Sequence, residues 1–260
     1  MNKPTSVFVS HGAPTLPLES ENPARAFLRE LGSHLSQGGQ PESILVVSAH
    51  WESSLPTVSL AQAPETIHDF YGFPRELYEL EYPAAGAPEL AERTKKLLEK
   101  KGIQAGSDAN RGLDHGAWVP LLEMFPQADV PVTQLSVSPD RGADFHYVMG
   151  EALQPLKEEG VLILASGGAV HNLMQYRRDP VNVAEWARSF DDFLAEHVRS
   201  GAVDELLSYS ARSDHLQAHP TDEHFLPFFV ALGAARDKQG EVLHRSFSHG
   251  SLSMASYAWS

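Results

Sequence analysis

Short unbroken apolar runs, each leading through serine and small residues to a histidine, occur three times along the chain. Ser6–His11 reads SVFVSH, Ile44–Trp51 reads ILVVSAHW and Val161–His171 reads VLILASGGAVH. Runs this short and rich in β-branched residues, without alternating polar positions, predict strands buried on both faces, as in a parallel sheet. Val132–Val137 predicts a fourth such strand and Thr57–Leu60 a short one. Between them the apolar period lengthens to that of a helix. Helices are expected from Glu21 or Asn22 to Leu35, with Pro23 in the first turn, and over Pro88–Lys101, closed by Gly102. Others are expected over Ala117–Phe125, Asp144–Leu156 and Val183–Val198, and from about Pro227 to Gly233. Strands alternating with helices predict an α/β fold with a central, mostly parallel sheet flanked by helices on both faces. Without an internal repeat, a low-complexity tract or an interior linker, residues 1–260 read as a single domain.

In open α/β sheets ligands bind at the carboxyl ends of the strands. His11, His50 and His171 are therefore expected to converge on one site. Gly167-Gly168 reads as a tight turn before His171. Residues 63–85 look irregular but carry Phe70, Tyr71, Phe73, Tyr78 and Tyr82. They form either a lid or a patch folded back on the core. His68, beside Asp69, is a site residue or a surface imidazole. His115 is expected in a polar loop over Arg111–Trp118. His146 falls off its apolar stripe and is expected to face solvent. His34 and His197 lie near helix C-termini, where the helix dipole favours them. His215 and His219 flank a loop, His224 occupies the approach to the last helix, and Leu252–Trp259 reads as an edge strand.

Composition narrows the chemistry. The net charge of −14 argues against nucleic acid or an anionic membrane surface as partner, since both require a basic patch. The chain has no cysteine, which removes disulfides, thiolate nucleophiles, iron–sulfur clusters and cysteine zinc sites. No apolar stretch is long enough for a membrane helix and no secretory signal is evident, so a cytoplasmic protein is expected. What stands out is 13 histidines in a cysteine-free chain. Imidazole is a ligand for zinc, iron and copper, and a site needs only three or four ligands. Acid–base chemistry by one or two histidines, without metal, stays open. A serine nucleophile at Ser10, Ser48 or Ser166 also stays open, although no G-x-S-x-G elbow surrounds any of them.

The segments SHGAPTL (10–16), VVSAHWE (46–52), HDFYGFP (68–74), LDHGAWVPL (113–121), SGGAVHNL (166–173) and HPTDEHFLPFFVALGAA (219–235), in this order over nearly the whole chain, resemble the class III extradiol ring-cleavage dioxygenases. More narrowly they resemble the 4,5-DOPA extradiol dioxygenase branch. The resemblance implies a non-haem dioxygenase that uses O2 to open the ring of a catechol-type aromatic substrate outside the diol. It implies Fe(II) for activity, while Zn(II) is able to fill the site in purified protein because divalent affinity rises from iron towards zinc. It gives His11, His50 and His224 as metal ligands, and His171 as acid–base residue or close fourth ligand. His115 would be a second catalytic residue lining the oxygen and substrate pocket. More distant relatives use a glutamate as third ligand. Here Glu223 adjoins His224, and a one-residue shift redirects a helical side chain by roughly 100°; the resemblance favours His224. Protonation of the imidazoles is expected to release the metal below about pH 6. Arg25, Arg111 and Arg177 are the cations considered for a substrate carboxylate. The assembly is expected to be a monomer or small homo-oligomer. A zinc-dependent hydrolase with a three-histidine site, or a non-catalytic binding protein on the same scaffold, are the alternatives.

Overall fold

A computed structural model describes residues 5–177 and 182–260. In chain order, β1 (Ser6–Ser10) is followed by α1 (Pro23–Ser36), β2 (Ser43–Glu52), β3 (Thr57–Ser59) and α2 (Pro88–Lys100). Then come β4 (Gly106–Asp108), α3 (His115–Met124), β5 (Val132–Val137), α4 (Gly142–Leu153) and β6 (Val161–Gly167). Helices α5 (Glu185–Ser200), α6 (Val203–Leu207), α7 (His215–Ala218) and α8 (Leu226–Ala234) precede the C-terminal strands. These are β7 (Glu241–His244), β8 (Phe247–Ser248), β9 (Leu252–Ser253) and β10 (Ser256–Trp259). One eight-stranded sheet runs in the order β4-β3-β5-β2-β6-β1-β10-β7, and β8 pairs only with β9.

The inner strands β5-β2-β6-β1 are all parallel, and both of their faces are covered. Phe8, Leu45, Val47, Ile163 and Ala165 join the core under α2, α4, α5 and α8. Val7, Val9, Ile44, Val46, Leu162 and Leu164 join the opposite core, under α1 and α3. Because both pleat faces are buried, apolar residues fill both faces in the middle of β1, β2 and β6, which is why the runs lack alternation. Helix α8 is buried at every position, so its sequence carries no amphipathic stripe. Helix α1 starts where its cap predicts, with the Asn22 side chain accepting from the Ala24 N–H at 2.9 Å. Among the described residues no helix is long and apolar enough to cross a membrane.

Three expectations are corrected. The C-terminal segment is not an edge strand: β10 lies inside the sheet, antiparallel to both β1 and β7. The helix expected from Asp144 begins at Gly142 and gives way to a 3-10 turn after Leu153. His146 does not face solvent but is fully buried. Its Nε2 accepts from the Ser138 N–H at 3.0 Å and its Nδ1 faces the Gly142 carbonyl at 2.6 Å. It thus ties the approach of α4 to its first turn, a local polar role that helical periodicity does not report.

Burial, helped by Arg141 and opposed by the Gly142 carbonyl, pushes the His146 pKa down to about 4. The unfolded chain takes up a proton near pH 6.5 and the native state does not. The stabilisation is therefore complete above that value and is lost as pH falls towards 4. From pH 7 to pH 5 this one group costs about 2 kcal/mol. In urea titrations at the two pH values, His146→Gln should lose less stability than the parent by about that amount. Equal losses would show that His146 does not carry this pH dependence.

Candidate metal centre

The site lies at the carboxyl ends of β1, β2 and β6. His11 directly follows β1 and continues its ladder, its N–H donating to the Gly167 carbonyl at 3.0 Å. His50 lies within β2, where the pairing with β5 breaks: Ser48 faces Ser136, but the next pair is Glu52 with Val137. Such an irregularity re-aims a side chain without ending the strand. His224 arrives from the opposite direction, two residues before α8. Its carbonyl accepts the Gly168 N–H at 2.8 Å. A Cβ on Gly167 would lie 2.0 Å from that carbonyl oxygen. Close backbone approach, rather than a tight turn, therefore requires the first glycine of this pair.

The three rings meet through Nε2. The His50 and His11 Nε2 atoms are 3.1 Å apart, and those of His224 and His50 are 3.2 Å apart. Each Nδ1 has an oxygen behind it. His11 Nδ1 is 3.0 Å from Ser166 Oγ, whose own proton goes to the Gly116 carbonyl. His224 Nδ1 is 2.8 Å from Glu223 Oε1, and His50 Nδ1 is 3.5 Å from Asp69 Oδ2. Protons on Nδ1 leave bare lone pairs on all three Nε2 atoms, pointing at one another. That arrangement is repulsive unless a cation sits among them, and a set of neutral imidazoles backed by carboxylates fits a divalent metal. Glu223 stands behind His224, not in its place.

His171, after β6, stacks on the His224 ring with centroids 3.6 Å apart and planes 7° from parallel. Its N–H donates to the Ala218 carbonyl at 3.0 Å. His115 is not in a loop but opens α3, capped by Asp114. Asp114 is fully buried and accepts from Ser48 Oγ at 2.6 Å, Arg111 at 2.8 Å and Gln134 Nε2 at 3.2 Å. The His115 and His50 ring centroids are 3.9 Å apart. The intervening Gly116 has no room for a side chain, since a Cβ there would lie 2.9 Å from His50 Cδ2 and 2.5 Å from Ser48 Oγ.

Electrostatics hold the rings of His11, His50, His171 and His224 neutral. Burial first, then the neighbouring histidines, push His11 and His224 well below the usual imidazole range. The same effects, with Asp69 and Glu223 opposing, lower His50 to about 3. His171 falls to about 4 through burial, against the pull of Glu223. Competition by protons for the lone pairs therefore begins well below pH 6, and metal release is expected at a lower pH than free imidazole would give.

Other sequence candidates fall outside this cluster. His68 Nε2 faces the Leu80 carbonyl at 3.0 Å. The hydroxyls of Ser10, Ser48 and Ser166 each donate to a buried oxygen, so none is held as a nucleophile. His219 is buried with Nε2 on the Ala169 carbonyl. His215 starts a short helix and faces Asp222. Arg25 is paired with Glu123, and Arg111 with Asp114, while Arg177 is exposed. Residues 63–85 fold back on the core: Tyr82 is fully buried with its hydroxyl donating to Phe125 O at 3.0 Å, and Phe70 packs near Trp118. Of this segment's aromatics, Tyr71, at 92%, and Tyr78 are exposed. Sequence reasoning named Asp69 and Ser166 without giving either a role behind a ligand. Asp69 was legible only as the neighbour of His68.

Comparison with known proteins places the chain in a family. The family described as the catalytic LigB subunit of aromatic ring-opening dioxygenase matches residues 5–259. The chain is 42% identical over 253 residues to a 4,5-DOPA dioxygenase extradiol of Beta vulgaris, covering 96% of this chain and 94% of that one. It is 36% identical over 256 residues to a protein of the same name from Escherichia coli K12, covering 96% and 93%. The crystal structure of an uncharacterised E. coli K12 protein superposes with a TM-score of 0.83 at 32% identity, over 98% of both chains.

Proposed function

Because the chain belongs to the family of the catalytic LigB subunit of aromatic ring-opening dioxygenase, and is thus an enzyme that opens catechol rings outside the diol with O2, we propose that His11, His50 and His224 hold its metal, with Fe(II) the active ion, and that His171 and His115 act on the substrate. The convergence of three bare Nε2 atoms carries this reading. A non-haem metal bound there supplies Lewis acidity towards the two catechol oxygens and an electron path between ring and O2.

The protein's own groups do the rest. His171, neutral at pH 7, accepts a proton from a catechol hydroxyl, and Glu223 favours the imidazolium so formed. The same proton is then available for return as the ring opens. His115, on the other side of His50, lines the pocket where ring and oxygen meet. Both oxygen atoms enter the product, so no external reductant is needed. The relatives' names point to a DOPA-like catechol as substrate class.

The test is an assay of Fe(II)-loaded protein with DOPA, with and without O2. A coloured semialdehyde should form only aerobically, with stoichiometric oxygen uptake. Turnover under strict anaerobiosis, or with Zn(II) alone, would replace this reading with the hydrolase one.

A further inference from the structure

Asp69 reaches into the site from the aromatic-rich segment and sits between His50 and His115, as Glu223 sits between His171 and His224. Its Oδ1 accepts the His115 backbone N–H at 2.8 Å and lies 2.9 Å from His115 Nδ1, within ion-pair distance but off that nitrogen's hydrogen-bond axis. Its Oδ2 lies 3.5 Å from His50 Nδ1. The side chain is 22% exposed, against 8% for that of His115. An ionised carboxylate accepts hydrogen bonds and donates none. The hydrophobic contacts of Phe70 with His68, Tyr78 and Trp118 anchor the chain immediately after it.

We propose that Asp69 is a positioning residue that keeps a proton on Nδ1 of both His50 and His115, so that Nε2 of His50 faces the other two ligands and Nε2 of His115 is left for the substrate pocket. Imidazole has two tautomers, and the partner of one nitrogen selects the state of the other. One carboxylate setting two rings at once makes the folded-back segment a structural part of the metal centre. This rests on the proposed metal ligation. Its consequence for His50 is local: His11 and His224 have their own acceptors, Ser166 and Glu223, and keep their tautomers without Asp69.

The near-isosteric variant Asp69→Asn separates the possibilities. An amide has one acceptor, so it serves one ring and turns a donor towards the other. Zn(II) affinity, measured by competition with a chromophoric chelator at pH 7.5, should fall about 10- to 100-fold, with the thermal unfolding midpoint of the apo-protein kept within a few degrees. Asp69→Glu should recover part of the affinity. Long-range proton–nitrogen NMR of the parent apo-protein should show Nδ1–H tautomers for His50 and His115, and this arm does not depend on any variant folding. An Nε2–H tautomer at His50, or Zn(II) affinity in Asp69→Asn within twofold of the parent, would overturn the proposal. Failure of the parent itself to bind Zn(II) would instead sink the metal ligation on which it rests.

Discussion

His50→Ala should leave the purified protein with metal near background by elemental analysis and with catechol turnover reduced by at least about a thousandfold. His50 is the central member of the trio, with its Nε2 within 3.2 Å of both other Nε2 atoms. His11 and His224 then remain as two neutral imidazoles, fewer than the three protein ligands that an open catalytic site uses. The β2 backbone should be undisturbed, because its hydrogen bonds to β5 and β6 do not use this side chain, and the circular dichroism spectrum should match the parent. The parent should in turn keep its metal at pH 5, because burial holds His50 at about 3. Normal metal content in His50→Ala would move the centre to other ligands.

His171→Gln should do the opposite: metal retained, turnover down by about 10²- to 10⁴-fold, the usual contribution of a positioned acid–base group. Glutamine preserves much of the contact with His224 but cannot take up a proton. A pKa of about 4 in the absence of substrate makes His171 a base that is ready at neutral pH, not one poised near 7 as free imidazole would be. The acid limb of the parent's pH–rate profile should accordingly lie below pH 6 and vanish in the variant. Loss of metal from His171→Gln would reassign it as a fourth ligand, and undiminished turnover would remove it from the proton path.

The parts of this site that were legible in the sequence are those fixed by strands. Burial on both faces forces apolar runs in β1, β2 and β6, and a histidine just beyond such a run stands out by contrast. The third member, His224, lies outside any strand and became visible only through the resemblance of its segment to a family. Asp69 was harder still. Its importance comes from where a segment without periodicity folds back, and only tertiary packing of Phe70 and Tyr82 determines that. His146 was misread because a buried imidazole bonded to its own helix start breaks the apolar stripe just as a solvated one does. His115 was placed in a loop because Pro120 and Gly116 obscure the helix start, although Asp114 is a good cap residue.

Strand β10 has a bearing on how this protein is made. On the ribosome, residues 6–10 emerge long before one of their two neighbours in the sheet, the segment 256–259. The other, β6, also comes much later. Until β6 has been made, β1 is thus an apolar strand without a sheet partner, the kind of exposed segment that favours aggregation and chaperone engagement. His11 hangs from the end of that strand, so the histidine cluster cannot close until His224 has been translated. Loading of the three proposed ligands with a metal is consequently a late event, open to whichever divalent ions the cell then holds free.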